Sequence, residues 1–110
     1  MVFFKDKNGL EVKASLESDN TIDPNFFLIK MDDVWKGLKF QTGNPKEVGI
    51  NGYTNESMAA ILIQRLKIQD QIVPSDQNKT AIAHLEAVLE ALNLRVQDRV
   101  ERLVEGTQAA

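Results

Sequence analysis

The sequence predicts an α+β fold, in which a small antiparallel β region in the N-terminal half precedes a long antiparallel helical hairpin. Three observations predict this class. Short apolar runs separated by turn residues fill residues 1–53, an Asn8-Gly9 pair stands between the first two runs, and apolar residues then recur at helical spacing. With 110 residues, the chain is expected to form a single domain, 1–110, made of a β-rich part at 1–53, a hairpin at 54–106 and a tail at 107–110.

The N-terminal half is predicted to hold short strands. The segment "VFFKDKNGLEVKASL" has two apolar runs around Asn8-Gly9, which is typical of a β-hairpin turn. We expect "SDNTIDPN" to be a loop ending in Pro24, and "FFLIKM" to be a third strand. "DDVWKG" fits a helical turn or a strand edge, and "LKFQTGNPKEVGI" is predicted to form a second hairpin.

The C-terminal half is predicted to hold two helices. Thr54 is the expected N-cap of the first helix, with Glu56 in the first turn, where the helix dipole favours an acid. The apolar spacing of this helix continues to about Ile68. Ser75 is the expected cap of the second helix, which should run to Gly106, a residue type that commonly ends helices.

The second helix carries a regular apolar stripe, whose members lie alternately three and four residues apart, as in the seam of a heptad repeat. They are Ile82, Leu85, Leu89, Leu92, Val96 and Leu103. Arg99 occupies the position that the stripe leaves out. Because a charge in an apolar seam is costly to bury unless it is paired, Arg99 lies either where the seam reaches solvent or against a specific anion.

The two helices are predicted to differ in length. At about 1.5 Å per residue the first spans roughly 25 Å and the second roughly 45 Å, so the second overshoots by roughly 20 Å. This overhang should begin near Leu92 and contain all three arginines of "NLRVQDRVERLVEG". Its apolar residues Val96, Val100 and Leu103 need the N-terminal strands or another subunit to cover them. We favour a symmetric dimer for at least part of this surface.

Composition limits the classes of function. A net charge of -3 disfavours a general nucleic-acid binder, and the absence of Cys together with a single His disfavours thiol catalysis and a zinc site. The N-terminus lacks a signal-peptide pattern and no apolar run reaches membrane length, so we expect a cytoplasmic protein with no DNA, RNA or membrane partner. We predict no catalytic residues, no metal and no cofactor, because no nucleophile stands beside an evident base.

The arginines have two interpretations. Arg95, Arg99 and Arg102 lie on roughly one helix face. In the first interpretation this face is solvated, and Asp98 pairs with Arg95 and Arg102. In the second, Arg95 and Arg99 form an anion site, in which Asp98 orients a guanidinium or accepts from a ligand hydroxyl. Spacing alone leaves both open.

Residues from about 40 to 107 resemble a family of small phage proteins. The resemblance is carried by "FQTGNPKEVGINGYTNE", by "GYTNESMAAILIQRLKIQD" and by "QNKTAIAHLEAVLEALNLRVQDRVERLVEGT". No single element is specific, but several elements together are specific in their order and spacing. They are "TNE", "RL", "HLEAVLEAL" and the terminal R-x-x-D-R…VEGT. On these segments the chain resembles the phage anti-Thoeris signal sponges, which are related to the anti-CBASS cyclic-nucleotide sponges.

The resemblance implies a phage protein that is not an enzyme. Such sponges bind a cyclic ADP-ribose isomer, the immune signal of Thoeris, in the cytoplasm of the infected bacterial cell and sequester it without degrading it. They assemble as dimers and, in some members, as hexamers. The implied signal pocket consists of Arg95 and Arg99, of Asp98 between them, of Asn78 near the start of the last long helix, and of Ile68.

The implied pocket needs two chains. Asn78 and Arg95 should lie roughly 25 Å apart along one helix, so one small ligand can reach both only if two chains pack antiparallel. Ile68 takes the position of an aromatic residue in the family, and it can pack on a base but cannot stack as an aromatic ring does. Asp76 takes the position of an arginine linked to a second, cyclic-nucleotide site, so we expect that site to be weak or absent.

Other functions stay open at this stage. The arginines would form intersubunit salt bridges in a structural or regulatory oligomerisation module. Alternatively, the chain would be a sponge for another ligand, a cyclic di- or trinucleotide. A hydrolase that destroys the signal is disfavoured because the sequence shows neither a metal constellation nor a nucleophile–base pair.

Overall fold

A four-stranded antiparallel sheet forms the N-terminal half, with its strands in the order β1-β2-β3-β4. The strands are β1 (Val2–Lys5), β2 (Glu11–Leu16), β3 (Ile22–Met31) and β4 (Val34–Lys39), followed by the helices α1 (Pro45–Val48), α2 (Asn55–Ile72) and α3 (Asp76–Val104). The structure, a computed structural model, describes the backbone of residues 2–104 and the side chains of residues 2–101. The predicted α+β class is confirmed, and the chain divides into two compact units between Tyr53 and Thr54.

The first hairpin turns where the sequence predicts it. Gly9 has a φ of 91°, a left-handed conformation that glycine adopts without the steric cost of a Cβ. The Asp6 carboxylate accepts hydrogen bonds from the backbone N–H groups of Asn8 and Leu10, both at 2.9 Å. These bonds hold the turn between β1 and β2 closed.

Strand β3 is longer than predicted. It begins at Ile22 and includes Pro24, which was expected to end a loop. The pairing with β2 shifts register after Ala14, which faces Phe27, so that Ser15 faces Asp23. Pro24 lies in this bulge, where the ladder is already interrupted and its missing N–H removes no bond.

The segment "DDVWKG" is a turn followed by a strand. Asp32 and Asp33 have φ values of 48° and 64°, the left-handed pair that a tight turn between antiparallel strands requires. Met31 then pairs with Val34, and β4 runs beside β3 from there.

The predicted second hairpin is wrong. After β4 the chain enters the short helix α1, and Phe40 pairs with Tyr53 through a single parallel bridge. Asn44 is the N-cap of α1, because its side chain accepts from the N–H of Lys46, and Pro45 follows as the first helical residue. Part of the segment that was predicted to form a hairpin therefore forms a helix instead.

Both long helices start at their predicted caps. Thr54 and Ser57 form a capping box, in which each side chain accepts from the backbone N–H of the other residue. The Ser75 hydroxyl accepts from the N–H of Asn78 at 3.0 Å and caps α3. Helix α2 ends at Ile72 and is longer than predicted, whereas the expected stop at Gly106 lies outside the described residues.

The helical hairpin buries the heptad seam. Ala59 and Ile63 are the buried residues of α2, at 8% and 7% exposure. Four seam residues of α3 are half-buried, namely Ile82, Leu85, Leu89 and Leu92. Farther along the seam Val96 is 40% exposed. Within the described residues, no helix has the length and apolarity needed to cross a membrane.

Candidate ligand site on the helical hairpin

Two ion pairs fix the register of α2 and α3. The Lys67 ammonium lies 3.4 Å from the Glu86 carboxylate, and the Lys79 ammonium lies 3.0 Å from the Asp70 carboxylate. Each pair joins a residue of α2 to one of α3. From the first pair to the second, the residue number rises on α2 and falls on α3. The helices therefore run antiparallel, as the sequence predicts.

The end of α3 extends beyond the start of α2. Helix α3 has 29 residues and α2 has 18, and the difference corresponds to an overhang of about 16 Å. Asn55, the first residue of α2, lies twelve residues before Lys67, and Asp98 lies twelve residues after Glu86, the partner of Lys67. In an antiparallel pair of helices Asn55 and Asp98 are therefore at the same level. The overhang therefore begins near Asp98, later than the predicted start near Leu92, because α2 is longer than its apolar spacing indicated.

Three of the predicted ligand residues lie together at this end of α3. Arg95 and Asp98 are exposed and Arg99 is half-buried. Arg95 and Asp98 form no ion pair with each other. Of the two pairs that the solvated-face interpretation predicts, the one between these residues is therefore not observed. The side chain of Arg102 lies outside the described side chains. We call Arg95, Asp98 and Arg99 the arginine half-site.

The other two predicted residues lie at the opposite end of the hairpin. Ile68 is 47% exposed in the last two turns of α2, and Asn78 is half-buried in the first turn of α3. The Asn78 amide nitrogen lies 3.5 Å from the Val73 carbonyl oxygen, at the long limit of a hydrogen bond. We call Ile68 and Asn78 the tip half-site.

The two half-sites are far apart within one chain. Asn78 and Arg95 are separated along the straight axis of α3 by about 25 Å. This distance exceeds the reach of one small nucleotide, so a single copy of the chain presents two incomplete sites. Whether a second copy completes them stays a prediction.

A hydrogen-bond network at the hairpin tip was missed by sequence reasoning. The Asp70 carboxylate accepts from the Ser75 N–H at 3.0 Å and from the Lys79 ammonium. These bonds, with smaller contributions from the charge of Lys79 and the amide of Asn78, lower the pKa of Asp70 from its ordinary value of 3.8. One feature of the sequence could have indicated this network. Asp70 is an acid in the last turn of α2, a position that the helix dipole disfavours unless the acid has a partner.

A groove of about 520 Å³ lies between α2 and α3 and contains none of the predicted ligand residues. It is lined by Ala60, Ile63, Lys67, Glu86, Leu89, Glu90, Asn93, Leu94 and Gln97. Lys67 pairs with Glu86 in this lining, and Glu90 leaves the groove with a net negative charge that opposes binding of a phosphate. We therefore do not place the anion site in this groove.

Residue types for metal binding do not cluster in the part of the chain that the structure describes. No three His, Cys, Asp or Glu residues lie close enough there to hold a metal ion. His84, the one histidine, is exposed on α3.

Comparison with known proteins adds one relative. No family model matches the chain. The chain is 41% identical over 71 residues to "Thoeris anti-defense 1" of Bacillus phage SBSphiJ7. This identity supports an anti-Thoeris family assignment. The resemblance to anti-Thoeris phage proteins that was found in the sequence is thereby confirmed. The match covers 64% of this chain and 50% of the relative, so the chain spans about half the length of the anti-Thoeris protein that it matches.

Proposed function

We propose that this chain is a phage counter-defence protein that binds and sequesters a cyclic ADP-ribose-type signal of Thoeris without degrading it. The identity to a phage protein named for anti-defence against Thoeris supports the counter-defence role. The observation that carries the ligand assignment is the arginine half-site, since Arg95 and Arg99 lie on successive turns of α3, on either side of the point near Asp98 where α2 begins.

The arginine half-site suits a pyrophosphate. Each guanidinium can donate two parallel hydrogen bonds to phosphate oxygens, and two residues four apart on a helix place their side chains side by side. Arg95 has no carboxylate partner among the described side chains, so its donors can engage a ligand without breaking an ion pair. Asp98, between the arginines, can accept from a ribose hydroxyl.

The tip half-site of a second copy completes the pocket. If two hairpins pack antiparallel, Asn78 of one copy comes beside Arg95 and Arg99 of the other, and two-fold symmetry gives two pockets per dimer. Val96 and Val100, which are 40% and 54% exposed, provide apolar surface for such a contact. Some members of the family also form hexamers, and this larger assembly is part of the proposal.

Sequestration follows from enclosure. A ligand held between two subunits leaves only when they separate or rearrange, and slow release lowers its free concentration. No bond of the ligand changes in this mechanism, so the protein must match the signal in amount, and it acts where the signal is made, in the cytoplasm of the host. Ile68 packs on the base, with less affinity than an aromatic ring would give.

The exposed apolar residues also favour a second candidate function. Ile61, Leu62 and Val88 of the hairpin are 57%, 44% and 46% exposed, and such residues are common in surfaces that join subunits. In a purely structural oligomerisation module, Arg95 and Arg99 would pair with carboxylates of the second copy. Substitution of either arginine would then weaken assembly rather than ligand capture.

Calorimetric titration with a set of glycocyclic ADP-ribose isomers tests the proposal. We expect tight binding of at least one isomer, at one ligand per chain. The complex is then denatured and the released nucleotide is identified by mass spectrometry. Intact ligand supports sequestration, whereas a linear product would identify an enzyme. If no isomer binds, the same titration with cyclic di- and trinucleotides distinguishes another sponge from the oligomerisation module.

A further inference from the structure

The hairpin tip is held by hydrogen bonds that converge on Asp70. Its carboxylate accepts from the backbone N–H of Ser75 at 3.0 Å and from the Lys79 ammonium at 3.2 Å. One side chain therefore joins the last turn of α2, the loop and the first turn of α3. The Asp70 side chain is only 17% exposed, so water competes less for these bonds than it does at an open surface.

Ser75 transmits this constraint to Asn78. Its hydroxyl accepts from the backbone N–H of Asn78 at 3.0 Å, while its own backbone N–H is held by Asp70. The backbone of Asn78 is thus fixed through two consecutive hydrogen bonds that start at Asp70. The amide nitrogen of Asn78 makes a long contact to the Val73 carbonyl and interacts weakly with the Asp70 carboxylate, so the amide oxygen of Asn78 is available to a ligand.

The Asp70 carboxylate also acts on Asn78 electrostatically. The hydrogen bonds from Ser75 and Lys79 lower the pKa of Asp70, and the side-chain amide of Asn78 contributes in the same direction. Asp70 is therefore ionised at neutral pH. An anionic acceptor beside the Asn78 amide favours the orientation in which the NH₂ group faces inward and the carbonyl oxygen faces outward.

We propose that Asp70 is a positioning residue of the signal site, which holds Asn78 through Ser75 and does not touch the ligand. The inference rests on the proposed function, in which Asn78 of one copy hydrogen-bonds the cyclic ADP-ribose isomer. A side chain that is already held loses less conformational freedom on binding than a mobile one, so the network raises affinity without adding a contact.

A double-mutant cycle separates this role from a general effect on folding. Affinity for the glycocyclic ADP-ribose isomer bound by the wild type is measured for Asp70→Ala, for Asn78→Ala and for the double variant. If Asp70 acts through Asn78, Asp70→Ala weakens binding by roughly fivefold when Asn78 is present, and by less than about twofold when it is absent. Loss of Asp70 also frees the Lys79 ammonium, but this change is common to both backgrounds and cancels in the cycle.

Two further variants sharpen the test. Asp70→Asn keeps an acceptor for the Ser75 N–H and is expected to retain most of the wild-type affinity. Ser75→Ala removes the acceptor of the Asn78 N–H and leaves the Asp70–Lys79 pair in place, so it replaces Asp70→Ala in the cycle if that variant does not assemble. Oligomer size and the helical signal in circular dichroism are compared for all variants.

Each outcome decides the inference. Coupling between Asp70 and Asn78 supports it. Equal loss in both backgrounds, or no loss in either, overturns it and leaves the proposed function intact. An Asn78→Ala variant that binds like the wild type overturns the inference and removes Asn78 from the proposed pocket, while sequestration of the signal still stands. Failure of the wild-type protein to bind any isomer overturns the proposed function and the inference together.

Discussion

Asn78 and Arg99 lie three heptads apart in the same seam of α3, with five apolar positions of the seam between them. The positions between them are Ile82, Leu85, Leu89, Leu92 and Val96, and both polar residues are half-buried. The apolar positions between them pack against α2, whereas an antiparallel second copy would bring its own Asn78 end beside the arginine end of the first copy. For Asn78 of one copy to meet Arg95 or Arg99 of the other, the two-fold axis must pass near Val88, close to the midpoint of the stripe.

The position of this axis can be measured with spin labels. The chain has no cysteine, so Val88→Cys and Thr80→Cys each give one labelling site per copy. We expect a shorter distance between labels at position 88 than at position 80, because the axial offset between symmetry mates grows by about 3 Å for each residue away from the axis. Pulsed electron spin resonance on the dimer gives both distances. Equal distances, or the reverse order, would exclude an antiparallel pairing with its axis near Val88, which is the pairing that the proposed pocket requires.

Arg99→Ala is expected to abolish most of the affinity for the cyclic ADP-ribose isomer. Removal of a charge-assisted hydrogen bond costs about 1.5–3 kcal/mol, a loss of roughly 10- to 100-fold. Arg65→Ala removes the same charge from an exposed position of α2 and should bind like the wild type. Titration calorimetry gives the affinities, and light scattering gives the oligomer size. A smaller oligomer for Arg99→Ala would favour the oligomerisation module.

Ile63→Ala should destabilise the hairpin much more than Ile61→Ala. Ile63 is 7% exposed between α2 and α3, so truncation leaves a cavity and costs about 2–5 kcal/mol. Ile61, on the same helix, is 57% exposed, and its truncation should change the stability by less than about 0.5 kcal/mol. Urea unfolding followed by the helical signal in circular dichroism measures both. A large loss for Ile61→Ala would instead place that residue in a contact between subunits.

The parts of the fold that depend on local signals could be predicted from the sequence. The helical hairpin follows from apolar spacing and from two caps, Thr54 and Ser75, each of which acts within one helical turn. The first β-hairpin follows from Asn8-Gly9 for the same reason. In each case the residues that decide the conformation are neighbours in the chain.

The elements that were predicted wrongly depend on distant partners. Asn44-Pro45 is compatible with a turn and with a helix start, and the structure selects α1 through bonds that cross the loop. The Gln41 side chain donates to the Gly49 carbonyl oxygen at 2.9 Å. The Asn51 side chain accepts from the Thr42 N–H and donates to the Thr42 carbonyl oxygen. A short stretch of sequence does not indicate such bonds, because the residues that form them are eight or nine positions apart.

The candidate site was accessible from the sequence only in part. Spacing alone grouped Arg95, Arg99 and Arg102 on one helix face with Asp98 as their companion. Asn78 and Ile68 entered through the family resemblance. The network of Asp70 was missed because its bond to Lys79 spans nine residues and a loop.

Acid should remove the contribution of Asp70 to stability. Because the folded-state pKa of Asp70 is lowered from 3.8, ionised Asp70 stabilises the folded chain above that ordinary value. This contribution is lost as the pH falls through the lower folded-state pKa. Asp70→Asn carries no titrating group at this position. The melting temperature of the wild type should therefore exceed that of Asp70→Asn at neutral pH, and the difference should shrink below about pH 4. Thermal melts of both proteins across this range measure the difference, and a constant difference would show that the hydrogen bonds to Asp70 do not depend on its charge.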